Sequence, residues 1–458
     1  MQAHIRQRHD SPAPRYTSYP TAPHFTTGFG AERYGAWLEA LDPAEPLSLY
    51  FHIPFCDSLC WFCGCNTTVV RRYEPVQRYV KKLIHEVELV AGHLAGRRRV
   101  SHIHFGGGSP SLLVPEDWHS LFDRIRAFFD LAENAEIAAE IDPRDLANEN
   151  IAALAEVGIN RVSFGVQDFD PEVQQAINRI QPFDMTAKKV EAFRAHGINA
   201  LNIDLIYGLP LQTRARIEHS VACVIEMAPD RVALFGYAHV PWFKAHQKLI
   251  HEKDLPGGDA RLGQFLAAAG CFEKAGYEWI GLDHFAQAQD GLAQAHDAGR
   301  LKRNFQGYTD DPAAALLGFG ASAISSLPQG YVQNASHTPT YISAVDADTL
   351  AAERGIAISA EDILRRAIIE QLMCNLAVDL DALCDAHGFP PRPFEQELNA
   401  LEALRRDGLV EIEGPHIAVT EPGRPLLRVI CAAFDTYLES AAARHSRAKT
   451  GGLRSPGA

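Results

Sequence analysis

LSLYFHIPFCDSLCWFCGCN spans residues 47–66. Its opening LSLYFHI reads as a β-strand, on which Tyr50 and His52, two residues apart, share one side. Four cysteines follow within ten residues: Cys56, Cys60, Cys63 and Cys65. The other five of the chain's 9 cysteines, Cys223, Cys271, Cys374, Cys384 and Cys431, are scattered through apolar stretches. A tight group of thiols directly after a strand is where a soft metal centre would be built.

The spacing narrows that centre. Cys56, Cys60 and Cys63 read C-x3-C-x2-C, and short cysteine spacings suit iron–sulfur clusters. Three thiolates on one loop can hold three irons of a 4Fe–4S cube and leave the fourth iron open, as catalytic zinc sites keep a position open. Structural zinc wants two well-separated pairs, and no second pair is present. Cys63 and Cys65 are one residue apart, awkward for gripping a single ion together. An odd and sparse cysteine count argues against a disulfide framework.

Outward from this loop, strand-like runs alternate with helical ones. The strands expected are Leu47–Ile53, Val100–Phe105, Glu136–Ile141, Arg161–Gly165, Ala200–Ile206 and Arg231–Tyr237, with helical patterns such as Val76–Leu94 and Ile217–Met227 between them. That alternation predicts an α/β fold with a parallel sheet, and six units make a partial, open (β/α)6 barrel. Chemistry in such barrels sits on loops at the C-terminal ends of strands. The cysteine loop, GGGSP (106–110), EIDPR (140–144), GVQDF (165–169), IYGLP (206–210) and YAHVP (237–241) all fall there.

The expected organisation is an irregular N-terminal arm over 1–40, the barrel over 41–245, a segment covering the barrel over 246–350, a winged-helix-like domain over 356–440 and a disordered tail over 441–458. The C-terminal domain shows three helical patterns, near 360–376, 379–386 and 393–407, and two short strands turning at Gly414–Pro415. A winged helix suggests DNA binding, but residues 360–440 hold 15 acidic and 7 basic side chains, so about −8. That does not suit phosphate contact and favours a structural or lid role. The whole chain of 458 residues carries a net charge of −14, against a general nucleic-acid or membrane-surface binder. No apolar run reaches the length of a membrane span, and MQAHIRQRHDSPAPRY lacks a hydrophobic signal core. Cytoplasmic location is expected, where thiols stay reduced.

The C-x3-C-x2-C loop resembles that of the radical S-adenosylmethionine (SAM) enzymes. The fuller run Y-F-H-I-P-F-C-x3-C-W-F-C-G-C-N resembles the oxygen-independent coproporphyrinogen III oxidases, an anaerobic haem-synthesis family. PRYTSYPT (14–21), NIDLIYGLP (202–210), DHFA (283–286), NFQGYT (304–309) and GFGASAIS (318–325) extend the likeness along most of the chain. The resemblance implies a partial open radical SAM barrel, a 4Fe–4S cluster on Cys56, Cys60 and Cys63, and two SAM molecules. It implies contacts to the cluster-bound SAM from Tyr50, Gly107, Glu140 and Ile324. For the second SAM it implies Phe62, Gly108, Ser109, Gln167, Arg179, Asp204 and Ala238.

Each residue also has a plainer reading. The glycines can form a tight strand-to-helix turn, Asp204 can cap a turn, Arg179 can be a surface charge and Ile324 can be core. Cys65, which recurs in the family without ligating the cluster, is either a small packed thiol or a substrate-side group. His52 is either a satisfied core histidine or a site residue. Family members usually have threonine where this chain has Ser109, and the hydroxyl is kept.

The implied substrate is coproporphyrinogen III, a flat tetrapyrrole with four propionates. Arg15 and Arg303 are candidate cations, and Tyr16, Tyr19, Phe305 and Tyr308 candidate walls. The arm can equally be a strap that ties down the N-terminus. The implied reaction is oxidative decarboxylation of the ring A and B propionates through a 5′-deoxyadenosyl radical, giving protoporphyrinogen IX. It needs an electron donor and an electron acceptor, and a monomer suffices. A haem chaperone, or a radical SAM enzyme acting on another tetrapyrrole, are the alternatives. The chaperone typically lacks the fourth cysteine and carries a histidine-rich motif where this chain has RNFQGYT.

Overall fold

A computed structural model describes residues 9, 13–144 and 146–438. Six strands stand where the alternation places them: β1 (Leu47–Ile53), β2 (Arg98–Gly107), β3 (Phe129–Ile141), β4 (Arg161–Gln167), β5 (Ala200–Tyr207) and β6 (Arg231–Gly236). They pair in parallel in chain order. Helices cross between them, among them α1 (Glu74–Gly92), α2 (Pro115–Phe128) and α3 (Arg214–Glu226). On α1 the buried residues Val76, Tyr79, Val80, Leu83, Val87 and Val90 recur every three or four positions, one apolar stripe turned to the sheet. Thr213 caps α3 by accepting the N–H of Arg216.

A seventh parallel strand, β7 (Ala315–Phe319), joins the free side of β1 and sets Gly318 opposite Tyr50. The sequence offers little sign of it. It is five residues long and runs into a glycine-containing turn rather than a helix. The stretch expected to cover the barrel in fact lengthens its sheet. Antiparallel strands Ile324–Leu327, Gly330–Asn334 and Ala352–Ala357 extend it beyond β7, and His284–Ala286 and Glu278–Ile280 extend it beyond β6. Among the described residues the two edge strands, Thr26–Thr27 and Glu278–Ile280, do not pair with each other, so the thirteen-stranded sheet stays open.

Stacked rings fill the space behind the site-bearing ends. Phe51 lies 4.9 Å from Phe105 and 4.8 Å from Phe319, and Trp118 meets Phe105 edge-on at 4.9 Å. Such pairs add about 0.5–1.5 kcal/mol each beyond burial. Nearer the N-terminal ends of the strands lies a buried charge network. Arg161 and Arg231 share Glu136 and Asp290, and His102 sits between Asp310 and Asp311. Burial opposes a charge on His102, but hydrogen bonds to the two aspartates outweigh it and raise the imidazole to about 10.

The chain forms two compact units. The larger holds Thr26–Gln294 and Asp310–Ala357; the smaller holds the described residues up to Phe25, Ala295–Thr309 and the described residues from Ile358 onward. In the smaller unit, helix Ala360–Asn375 starts in a capping box of Ser359 and Asp362. Helices Leu380–Ala386 and Glu395–Arg406 follow. A third strand, Ala377–Asp379, joins the expected pair, Val410–Glu413 and His416–Val419. The arm's tyrosines are buried in this same unit: Tyr16 donates to Asp435 at 3.1 Å and the Tyr19 hydroxyl meets Thr436 at 3.0 Å. That is the geometry of the strap reading, not of a substrate wall. Arg303 stacks on Tyr308, 4.4 Å from the ring centre, and Tyr308 donates to the Met373 carbonyl. The tail over 441–458 lies outside the described residues. Among the described residues no helix is long and apolar enough to cross a membrane.

Candidate active site

The cysteine loop leaves β1 and is pinned from several sides. Short strand Phe55–Cys56 pairs in parallel with Thr68–Val69, closing the loop at its base. The Trp61 N–H donates to Ile177, and the Asn178 amide donates to the Leu59 carbonyl. A short stretch after β6 takes up three more carbonyls. Lys244 donates to Cys65 at 2.8 Å, His246 meets the Cys63 carbonyl at 2.7 Å and Gln247 donates to Phe62 at 2.9 Å. Loop carbonyls left over after a turn of this kind would otherwise need water.

The sulfurs meet different settings, and burial pushes the Cys56 thiol up to about 11. Cys60 is buried, and two guanidiniums reach its Sγ, Arg179 at 3.4 Å and Arg144 at 3.6 Å. Cys56 is half-buried with Thr67 at 3.2 Å from its sulfur. The Cys65 N–H approaches the Cys63 sulfur at 3.4 Å. Hydrogen bonding from Cys65, with His246 and Lys244 nearby, pulls Cys63 down to about 6 despite burial. The bond between the two thiols, with burial, pushes Cys65, whose residue is exposed, well above the ordinary thiol value. The two thiols are thus pushed in opposite directions. Among the described residues no three His, Cys, Asp or Glu side chains gather to hold a single metal ion. A cluster does not require that convergence, because each thiolate meets its own iron. The donor set, three thiols on one loop with cations against one sulfur, fits a 4Fe–4S centre.

Beside the loop a polar row crosses the strands. Tyr50 shares a hydrogen bond of 3.0 Å with His52 Nδ1 and stacks on His104, with ring centres 5.9 Å apart. His104 Nε2 is 3.3 Å from Glu140 Oε1, and Glu140 Oε2 accepts the Gly107 N–H at 3.2 Å. Further along, Asp204 accepts from Asn202 at 2.8 Å and from Ser163 at 3.4 Å. Burial and the charge of Glu140 push Asp204 up to about 7. His52 is buried against the Asn66 carbonyl at 3.0 Å, and burial lowers it below the ordinary imidazole value, so it is neutral.

The remaining expected residues divide into two groups. Gln167 caps β4 with a φ of 71°, at a bulge in the β4–β5 pairing. Ile324 opens the strand beside β7, its backbone filling the place a Cβ on Gly318 would take, 2.8 Å away. Phe62 packs against the apolar cluster of Val173, Ile177, Leu209, Tyr237 and Ile250. Ala238 is exposed and its carbonyl takes a 3.3 Å bond from Gln247. Gly108 and Ser109 do something simpler: their N–H groups donate to Ile53 at the end of β1 and to Phe55 at the base of the cysteine loop. A Cβ on Gly108 would lie 2.5 Å from the Phe55 carbonyl oxygen. The Ser109 hydroxyl, buried, meets Ser111 at 2.8 Å. The turn reading of these two positions therefore has a direct packing cause.

Four site residues escaped the sequence reading. Asp142 and Arg144 lie inside EIDPR, where the residue pattern alone gives neither side chain a role. His104 precedes the glycines by two residues and so shares the strand face of His102. Lys244 lies in a stretch with no regular periodicity.

An open parallel barrel with a three-thiol loop after its first strand is the mark of radical SAM enzymes, which work with a 4Fe–4S cluster and SAM. The radical SAM superfamily matches residues 50–224, and the HemN C-terminal domain matches residues 358–426. The oxygen-independent coproporphyrinogen III oxidase of Bradyrhizobium diazoefficiens is 47% identical over 435 residues, 95% of this chain and 97% of the relative. Its counterpart in Escherichia coli is 41% identical over 95% of each chain. The solved structure of coproporphyrinogen III oxidase (HemN) from Escherichia coli, a radical SAM enzyme, superposes with a TM-score of 0.88 at 40% identity, covering 92% of this chain and 97% of that one. The chain belongs to the oxygen-independent coproporphyrinogen III oxidase family.

Proposed function

We propose that this chain converts coproporphyrinogen III to protoporphyrinogen IX without oxygen, by oxidative decarboxylation of the ring A and B propionates to vinyl groups. The observation that carries the reading is the cysteine loop itself, with Cys60 seated against Arg144 and Arg179 at the loop-bearing ends of the strands.

Cys56, Cys60 and Cys63 would hold the cluster. When bound, the cluster and SAM supply a 5′-deoxyadenosyl radical with methionine as the other product. Tyr50, Gly107, Glu140 and Ile324 are assigned to the first SAM. Glu140 already accepts one backbone N–H, and its remaining lone pairs suit an amino or ribose hydroxyl group. Phe62, Gln167, Arg179, Asp204 and Ala238 are assigned to a second SAM, with Gly108 and Ser109 shaping its floor through the cysteine loop. Arg179, whose guanidinium donates to the Gly165 carbonyl and to Asp142, would turn from these partners to a ligand carboxylate. His52 orients Tyr50, and Cys65 is assigned to the substrate side.

Each propionate loses a β-hydrogen atom, carbon dioxide and one electron. Every vinyl group therefore needs one hydrogen-atom acceptor and one electron acceptor, and two vinyl groups give the second SAM a purpose. The test is anaerobic: reconstituted protein with reductant, SAM and coproporphyrinogen III should yield the three-carboxylate intermediate, then protoporphyrinogen IX, with 5′-deoxyadenosine. Haem binding with no SAM cleavage would favour the chaperone alternative.

A further inference from the structure

Arg144 lies in the loop after β3, and its guanidinium does two things at once. Its Nε and Nη2 form a fork on Asp142, at 2.9 Å to Oδ1 and 2.6 Å to Oδ2. The same Nη2 points at Cys60 Sγ, 3.6 Å away. Asp142 also accepts Arg179 Nη1 at 2.9 Å, and that nitrogen reaches the same sulfur at 3.4 Å. The three side chains are 12%, 18% and 8% exposed for Arg144, Asp142 and Arg179. Two guanidiniums and one carboxylate leave a net positive charge against one sulfur. The fork on Asp142 uses one hydrogen of Nη2, and the same nitrogen also donates toward the Cys60 sulfur.

We infer that Arg144 is a positioning and tuning residue for the cluster: by donating to the Cys60 sulfur while braced on Asp142, it raises the reduction potential of the bound 4Fe–4S centre. The inference rests on the assignment of Cys56, Cys60 and Cys63 as the cluster's ligands. Its physics is general. Hydrogen bonds to cluster sulfurs and nearby positive charge stabilise the state with one more electron, and potentials respond to both. The consequence is practical, because the potential decides how strong a donor must be to charge the cluster.

The test uses the full chain, reconstituted anaerobically without SAM or substrate, with iron and sulfide counted per chain. The cluster is titrated with dithionite and followed by its electron paramagnetic resonance signal. Arg144→Met should assemble the cluster and shift its midpoint to more negative potential. At a fixed potential the ratio of reduced to oxidised cluster should fall about tenfold, or about 59 mV for this one-electron couple. Arg144→Lys, which keeps the charge and loses the fork, should shift it less and in the same direction. An assembled cluster with an unchanged or more positive midpoint overturns the inference. So does folded Arg144→Met protein that takes up no cluster, since Arg144 would then serve assembly. If circular dichroism shows Arg144→Met unfolded, Arg144→Lys decides, and an unchanged midpoint there overturns it. Wild-type protein that assembles no cluster instead defeats the ligand assignment.

Discussion

Tyr79 donates its hydroxyl hydrogen to the carbonyl of His52 at 2.7 Å, tying helix α1 to the end of the strand that launches the cysteine loop. The same oxygen accepts the Ala321 N–H at 2.8 Å. One buried hydroxyl thus fastens two segments of the site, the cysteine loop and the turn that leads to Ile324. Tyr79→Phe keeps the ring and removes both bonds. It should destabilise the protein by about 1–3 kcal/mol, because a buried N–H and carbonyl lose their partner. Denaturant titration gives that figure. If the turn positions Ile324 for SAM, KM for SAM should rise as well, while iron content stays at the wild-type level.

Glu86, about two turns further along α1, is the companion of Tyr79. Its carboxylate accepts the Gly320 N–H and the Asn334 amide at 2.6 Å and the Tyr341 hydroxyl at 2.8 Å. Burial outweighs these donors and raises Glu86 to about 7 from 4.5. A carboxyl raised on folding contributes stability that is complete below its unfolded value and is lost as pH climbs to the folded value. Wild-type stability should therefore fall relative to Glu86→Gln between about pH 4.5 and 7, by roughly 3 kcal/mol across the window. Melting temperatures of the two proteins over that range check the sign. A difference that is flat with pH, or that runs the other way, defeats the prediction.

The glycine run offers a steric test. Gly108 has no room for a side chain: a Cβ would strike the Phe55 carbonyl oxygen at 2.5 Å and the Thr67 hydroxyl oxygen at 2.6 Å. Gly108→Ala should cost about 1–3 kcal/mol. It should also displace the base of the cysteine loop, so the reconstituted protein should bind less iron. Gly64, in the same loop, has nothing within 4 Å of its Cβ position, and Gly64→Ala should leave iron content unchanged. Equal iron in the two variants would mean that the close approach does not matter.

These contrasts mark what a sequence can and cannot disclose here. β1 was legible to the residue, because its run of apolar and aromatic residues ends abruptly at Pro54. The six motifs at strand ends were legible for the same reason, as each follows a clear strand. What side chains do to one another was not. Asp142 and Arg144 look like an ordinary turn pair, and only the fold shows their charge arriving at Cys60 from 84 residues away in the chain. Tyr16 and Tyr19 look like aromatic walls, yet they are spent on Asp435 and Thr436, more than 400 residues distant. β7 was hidden because a five-residue strand without a flanking helix has no periodicity to read.

Arg179 and Cys60 touch, yet their loss should have separable effects. Cys60→Ser removes a proposed cluster ligand and should abolish both full iron loading and SAM cleavage. Arg179→Ala removes a donor to that sulfur and leaves the thiolate in place, with Arg144 still on Asp142. Its cluster should assemble with wild-type iron and sulfide. On the proposed two-SAM assignment, SAM bound at equilibrium should drop from two molecules per chain toward one, since a charged pair worth about 1.5–3 kcal/mol is gone and the proposed second site weakens roughly ten- to a hundredfold. Vinyl products should fall with it. Equilibrium dialysis with labelled SAM, beside iron analysis and product chromatography, separates these outcomes. Full turnover in Arg179→Ala, or two SAM molecules still bound with unchanged affinity, would show that the second SAM does not use this arginine.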